Sequence, residues 1–370
     1  MFDYSKVIES IAPQIAAAAA ETDRGVFPSK IVEALAASGL LGLVSATDVG
    51  GHGQGLGAAC HVIERIAREC GSTAMIVCMH YAGTQVIEAH GPMEIRQAIG
   101  RGTHLTTLAF SEFGSRSQFW ASLGTAQADS DGVRLTAKKS FVTSAHHADS
   151  YVWSTRPVTG SELTTLWLMP RPTPGLRIDG AFDGLGLRGN DSAPITAEAV
   201  RLPATAQLGS DGGGFGIMMG QVLPWFNAMS AAVSAGLMEA AVERTAKHAA
   251  ATTFSHVGSA ISDLPTARSY IARMRIKTDQ TQALNADTLA AIGAGRSDAT
   301  LRVLECKAAA GEAAVEVTDL AMRVCGGAAF RKEVGVERVF RDARAALVMA
   351  PTSDVLYDFI GKAVCGLPLF

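Results

Sequence analysis

Apolar positions recur at three- and four-residue spacing through the first hundred residues, lose that period, and recover it after about residue 213. Ile8, Ile11, Ile15 and Ala18-Ala19 share one helical face, and Pro28-Ser29 stands ahead of a second helix over 29–39. The loop Val49-Gly50-Gly51-His52-Gly53-Gln54-Gly55 interrupts the series, which resumes over 56–70 and 73–89. From Thr103 to about Pro203 the chain breaks into short runs rich in strand formers: Leu105–Phe110, Val133–Ala137, Phe141–Thr143, Tyr151–Ser154 and Thr165–Met169. Turn clusters such as Asp129-Ser130-Asp131-Gly132 and Arg171-Pro172-Thr173-Pro174-Gly175 separate them, so this stretch reads as short antiparallel strands. Four long helices are then predicted over 214–250, 262–293, 297–324 and 335–364, with breaks at Gly258, Gly293–Gly295 and Gly326-Gly327. Long helices with short connections argue for a bundle. The expected architecture is α+β: an N-terminal helical domain (1–102), a middle antiparallel β-domain (103–210) and a C-terminal four-helix bundle (211–370).

Composition narrows the function. A chain of 370 residues is long enough for several packed subdomains, and 48% hydrophobic content with few aromatics suits helices packed closely on helices. A net charge of -3 with no long basic run argues against a nucleic-acid partner. The opening Met1-Phe2-Asp3-Tyr4 lacks a basic segment followed by an apolar stretch, and the alanine run Ala16–Ala20 is too short to span a bilayer. A cytoplasmic protein with no membrane partner is expected. Cys60, Cys70, Cys78, Cys306, Cys325 and Cys365 lack C-x-x-C spacing, so buried reduced thiols are expected rather than a disulfide framework or a metal site.

Chemistry concentrates in a few motifs. Leu108-Ala109-Phe110-Ser111-Glu112-Phe113-Gly114-Ser115-Arg116-Ser117 reads by itself as a strand end and glycine turn, and Lys139-Ser140-Phe141-Val142-Thr143-Ser144-Ala145-His146-His147-Ala148-Asp149 as a half-buried strand. Gly186-Leu187-Arg188-Gly189-Asn190-Asp191-Ser192 is a turn before the strand Ala199–Pro203. Gly212–Gly216 is a helix entry, because it lacks the strand–helix–strand setting of a dinucleotide fingerprint. In Phe340-Arg341-Asp342-Ala343-Arg344 the three charged residues interrupt an apolar helix, and structural ion pairs are their expected role.

Taken in order, these motifs resemble the acyl-CoA dehydrogenase family over nearly the whole chain. The resemblance implies an FAD cofactor. It places Phe110, Ser111 and Ser117 beneath the flavin, with hydroxyls and backbone N–H groups where reduction puts negative charge. Phe141 covers one edge of the ring and Thr143 bonds near its N5; a flavin needs such a flat apolar neighbour. Gly326 and Gly327 approach the adenylate half, Thr352 completes the F-R-D-A-R signature, and Arg323 stands where the family has Gln, a candidate positive charge for the pyrophosphate. The resemblance also implies a homo-oligomer, dimer or tetramer, with FAD at a subunit boundary. Yet the family's R-x-x-F-G, whose Arg reaches a neighbouring subunit's FAD, reads Ala251-Thr252-Thr253-Phe254-Ser255.

In that family the signature continues to E-G-T, and the Glu removes the substrate's α-proton. The matching triplet here is Ala350-Pro351-Thr352. A second position used by some members, on the first bundle helix, is Phe226, followed by Asn227. General-base catalysis contributes on the order of 10²–10⁴-fold, so the difference matters. The remaining candidates are His146 and His147, whose imidazoles titrate near neutrality, and Asp354, one turn beyond Ala350 if the segment is helical. The expected activity is FAD-dependent oxidation of an acyl thioester, carried on CoA or an acyl-carrier protein, with the electron acceptor or flavin reductase unspecified. A flavin-dependent monooxygenase, a redox-neutral biosynthetic thioester enzyme and a paralogue without chemistry are the alternatives.

Overall fold

Apolar stripes and their breaks place most of the helices where the sequence predicts them. The computed structural model describes residues 2–256 and 258–369. The N-terminal region holds α1 (Tyr4–Thr22), α2 (Ser29–Ala37), α3 (Leu56–Glu69), α4 (Gly71–His90) and α5 (Met93–Gly100). The Asp3 carboxylate caps α1 by accepting from Lys6 N at 3.1 Å, satisfying one of the free N–H groups of a helix start. α4 is buried along most of its length, which matches its largely unbroken apolar run.

Two four-stranded sheets follow, built from β1 (Thr106–Ala109), β2 (Thr125–Asp129), β3 (Gly132–Val142), β4 (Ser150–Thr155), β5 (Thr165–Pro170), β6 (Leu176–Ile178), β7 (Ala193–Pro203) and β8 (Gln207–Leu208). Their orders are β1-β4-β5-β8 and β2-β3-β7-β6. The purely antiparallel expectation is corrected at one place: β1 and β4 run parallel, Thr106 beside Ser150 through Ala109 beside Trp153. The chain leaves the first sheet after β1, builds the β2–β3 hairpin in the other sheet, and re-enters as β4, which makes the parallel pairing possible. The two runs Val133–Ala137 and Phe141–Thr143 belong largely to a single strand, β3, with bulges between Leu135 and Ala137 and between Lys139 and Val142. Trp153, Trp167, Tyr151, Leu135 and Ile195 belong to the core cluster between the sheets.

Helices resume at α6 (Gly214–Ile217), where a Cβ on Gly214 would lie 2.7 Å from Thr164 O, so only glycine allows this approach. A π-helical turn, Met218–Val222, leads into α7 (Leu223–Ala251), the buried central helix. The short ribbon β9 (Thr253–Phe254) and β10 (Ser259–Ala260) precedes α8 (Pro265–Gly293) and α9 (Ala299–Cys325). The predicted fourth helix, 335–364, is broken into α10 (Val336–Ala343), α11 (Ala345–Val348) and α12 (Ser353–Val364). Pro351 supplies no N–H and disfavours a helical Ala350, so the helix is interrupted by a bend over Met349–Pro351, flanked by extended backbone at Met349 and Thr352. Among the described residues no helix is long and apolar enough to cross a membrane, and no group of three metal-ligating side chains is present. All six cysteines are free; five are buried, but Cys365 is exposed.

Candidate active site

Ser140 N donates to Ser111 O at 2.9 Å, so two motifs separated in sequence lie side by side at the edge of the β-domain. The bulge in β3 between Lys139 and Val142 turns Phe141 outward, with φ 53° and 70% of its surface exposed. Thr143 Oγ1 lies 3.1 Å from Ser192 Oγ, which ties this strand end to the turn after Gly186. The turn is itself fixed to the helices: Leu187 N donates to Asp342 Oδ1 at 2.7 Å, and Gly189 N to Ser72 Oγ at 3.2 Å.

The loop between β1 and β2 is anchored by Glu112. Its buried carboxylate accepts from Leu123 N, from Gly124 N at 3.1 Å and from Lys139 Nζ at 2.8 Å. Lys139 spends its other donors on Ser154 O (2.6 Å) and Ser154 Oγ (2.8 Å). Burial pushes this ammonium down to about 8, and the Glu112 charge opposes that shift.

On the bundle side, Lys307 reaches from α9 to the segment that carries Ala350. Its fully buried ammonium donates to the carbonyls of Ala346 (3.2 Å), Met349 (3.1 Å) and Pro351 (2.8 Å). Burial pushes it down to about 8 as well. Sequence reasoning missed this residue because a lysine on a helix ordinarily faces water. The signal was present: Lys307 falls on the buried face with Val303, Leu304, Ala310, Gly311 and Ala314. The two sides are joined where Thr352 N donates to Ser117 Oγ at 2.9 Å.

Between them lies a narrow cavity of about 60 Å³. Phe110, Ser111, Phe119, Ser140 and Phe141 form its β-domain side; Met79, Val222, Leu223, Phe226 and Ala350 close it from the helices. Both positions at which the sequence resemblance places a carboxylate, Ala350 and Phe226, therefore face one chamber. The described residues lining it contribute hydroxyls from Ser111 and Ser140 and otherwise carbon and sulfur.

The other candidates stand outside that lining. His146 is held by Asp191, with Nδ1 2.8 Å from Oδ1 and its backbone N donating to Oδ2 at 2.7 Å. His147 stacks on Phe27 at 3.8 Å, and burial lowers its pKa. Asp354 is exposed in the first turn of α12, and the break at Met349–Thr352 removes the helical turn that would have linked it to Ala350. Arg323 is exposed near the end of α9 and pairs with Asp319 at 2.9 Å. A Cβ on Gly326 or Gly327 would meet nothing within 4 Å, so their surface is open.

The expected ion pairs of the F-R-D-A-R segment hold for Arg341, which meets Asp23 and Glu337, both at 2.7 Å. They do not hold for its neighbours. Burial raises Asp342 to about 6 while it accepts from Leu187 N, and Arg344 donates to Val315 O at 3.3 Å with its guanidinium 4.0 Å from the Phe340 ring centre. Backbone groups supply the partners that sequence reasoning sought in charges.

The helical–β–helical fold, with an aromatic on the bulged strand edge and an apolar chamber behind it, is that of a known family, and comparison with known proteins identifies it. Three family models match in order: the acyl-CoA dehydrogenase N-terminal domain over 5–102, the middle domain over 107–200 and the C-terminal domain over 212–365. The chain belongs to the acyl-CoA dehydrogenase family of FAD-dependent oxidoreductases. It is 27% identical over 359 residues to a cyclohex-1-ene-1-carbonyl-CoA dehydrogenase of Geobacter metallireducens, covering 95% of this chain and 94% of that one. It is 29% identical over 338 residues to the mitochondrial short-chain specific acyl-CoA dehydrogenase of Bos taurus, covering 89% and 81%. Its fold is similar to that of butyryl-CoA dehydrogenase from Megasphaera elsdenii, with a TM-score of 0.92, 21% identity and coverage of 98% and 97%.

Proposed function

We propose that this chain is an FAD-dependent oxidoreductase of acyl thioesters, on CoA or a carrier-protein arm, that works without a carboxylate at position 350. The observation that carries the reading is the shared chamber: Ala350 and Phe226, the two positions at which the family resemblance puts the base, both face it and neither can take a proton. The residues present fit a flavin. The exposed ring of Phe141 offers the flat apolar contact that the isoalloxazine face requires, and Ser111 is held beside that segment by the Ser140 N to Ser111 O bond. Bound FAD supplies the two-electron acceptor for a hydride from the substrate's β-carbon. The chamber around Ala350 holds the acyl group by apolar contact.

Without a resident base, turnover depends on a substrate whose α-proton is already acidic, so that a solvent-derived base suffices. The open glycines at the tip of α9 lie roughly 29 Å along the helix axis from Lys307, at about 1.5 Å per residue. That separation favours a homo-oligomer in which Arg323, Gly326 and Gly327 serve the adenylate half of a cofactor bound mainly by another copy.

The test is spectroscopic. The purified protein is expected to be yellow, to be bleached anaerobically by thioesters with an activated α-position, and to respond slowly to simple saturated acyl-CoA. Ala350→Glu should raise desaturation of simple acyl-CoA by on the order of 10²-fold or more. A colourless protein that cannot be loaded with FAD would overturn the reading, and an inert Ala350→Glu variant would overturn the role given to position 350. The missing carboxylate also fits a flavin-dependent monooxygenase. Incorporation of labelled O₂ into product by the reduced protein would favour that reading instead.

A further inference from the structure

We propose that Arg116 supplies, from the same chain that holds the flavin ring, the positive charge that binds the cofactor's pyrophosphate. The proposal rests on the FAD reading above. A dianionic pyrophosphate needs cationic or N–H donors when it leaves water. Ala251 stands where the family resemblance expects a boundary arginine, so the charge must come from elsewhere.

The cations already described around the site are committed. Lys139 faces Glu112, Lys307 faces three carbonyls, and Arg341 faces Asp23 and Glu337. Arg323 pairs with Asp319 at 2.9 Å, so part of its charge is compensated before any ligand arrives. Arg116 is different. It is exposed, and among the described residues its guanidinium makes no hydrogen bond and no ion pair.

The backbone around it is also open to an anion. Gly114, Arg116 and Ser117 have φ of 93°, 47° and 72°. Left-handed backbone is ordinary for glycine but costs energy at an arginine and a serine, and such strain gathers at ligand clamps. The N–H groups of Gly114, Arg116 and Ser117 donate to no other group among the described residues. Free N–H groups in successive turn residues form a concavity that favours anions.

This loop is pinned. Ser115 N donates to Glu112 O at 3.1 Å, Gln118 N to Ser115 O at 3.0 Å, and Ser117 Oγ accepts from Thr352 N. Ser111, at its start, is held beside the Phe141 segment. A ribityl chain joins the flavin ring to the pyrophosphate, so a cation on the loop that leaves the ring edge is well placed for the phosphates. The charge then belongs to the subunit that holds the ring, whichever copy meets the adenylate half.

The test compares FAD with riboflavin, which has the ring but no phosphate. The full chain is loaded with each, and release on dilution is read by flavin fluorescence at low and high salt. Arg116→Gly removes the charge and suits the left-handed backbone, so its flavin-free melting temperature should not fall. A charge-assisted contact is worth about tenfold to a hundredfold in affinity, and FAD should weaken by that factor in the variant while riboflavin is unchanged. The salt dependence of FAD binding should be shallower in the variant, and Arg116→Lys should recover part of the loss. Unchanged FAD affinity, or equal loss of FAD and riboflavin, would overturn the proposal and leave the flavoprotein reading intact. Weakened binding of a CoA thioester with FAD unaffected would assign the cation to the substrate's phosphates and overturn it too. A wild-type protein that takes up neither flavin would overturn both.

Discussion

Lys139 in the β-domain and Lys307 in the bundle are both fully buried ammonium groups, and each fixes one side of the same chamber. Their partners differ. Lys139 is neutralised by a carboxylate, Glu112, and completed by the carbonyl and hydroxyl of Ser154. Lys307 meets three backbone carbonyls, from Ala346, Met349 and Pro351. A carboxylate compensates the charge, and its loss leaves that charge uncompensated. Carbonyls compensate by dipole alone, but in return the ammonium satisfies the free carbonyls around a broken helix. The first arrangement is a paired charge that pins a loop; the second is a charge used to finish a backbone.

The largest effect should come from breaking the pair. Glu112→Ala leaves Lys139 buried with its charge unmatched and frees Leu123 N and Gly124 N, and about 3–5 kcal/mol of stability should be lost. The loss should appear in the denaturant midpoint together with weaker flavin retention, since Ser111 precedes this anchor. Flavin binding that is unaffected in a destabilised protein would separate the anchor from the cofactor edge. Lys307→Met should cost less, about 1–3 kcal/mol, because three carbonyls lose a donor while the cost of burying an ammonium is removed. Here flavin should stay bound and thioester binding should weaken, because the displaced segment carries Ala350. Equal damage to flavin and thioester binding in both variants would end the distinction between the two sides. Ser117→Ala should have the smallest effect, about 1 kcal/mol, by removing the acceptor for Thr352 N that ties one side to the other. A double variant with Lys307→Met should be non-additive if the two contacts position the same segment.

The long helices were legible in the sequence because their apolar positions repeat over many turns and their ends carry proline or glycine, as at Pro265 and Gly326. The β-domain was legible as a class but not in its pairing. Thr106–Ala109 is buried throughout, so no alternation marks its neighbours, and its parallel partner β4 lies beyond an intervening hairpin. The break at Met349–Thr352 had its cause in plain view at Pro351, yet the apolar period on either side reads straight through it. Of the residues around the chamber, motif order named Phe110, Ser111, Phe141, Phe226 and Ala350, whereas Met79, Phe119, Val222 and Leu223 lie outside the motifs and read only as core. What the order did not convey was which polar groups meet backbone instead of charge. Lys307, Asp342 and Arg344 all find carbonyl or N–H partners from segments distant in sequence, and composition carries no trace of such partners.

Helix α9 gives the molecule a fixed gauge. Lys307 sits about two turns inside its start and the open Gly326-Gly327 turn follows its end. Each residue of an α-helix advances the axis by about 1.5 Å and turns it by about 100°. One residue added between them would shift the turn by that step and swing it onto another side of the bundle. Under the function proposed for Gly326-Gly327, the number of residues from Lys307 to Gly326 matters more than the side chains on the exposed face of α9. Between these two points the chain is constrained as a length and a phase, whatever its composition.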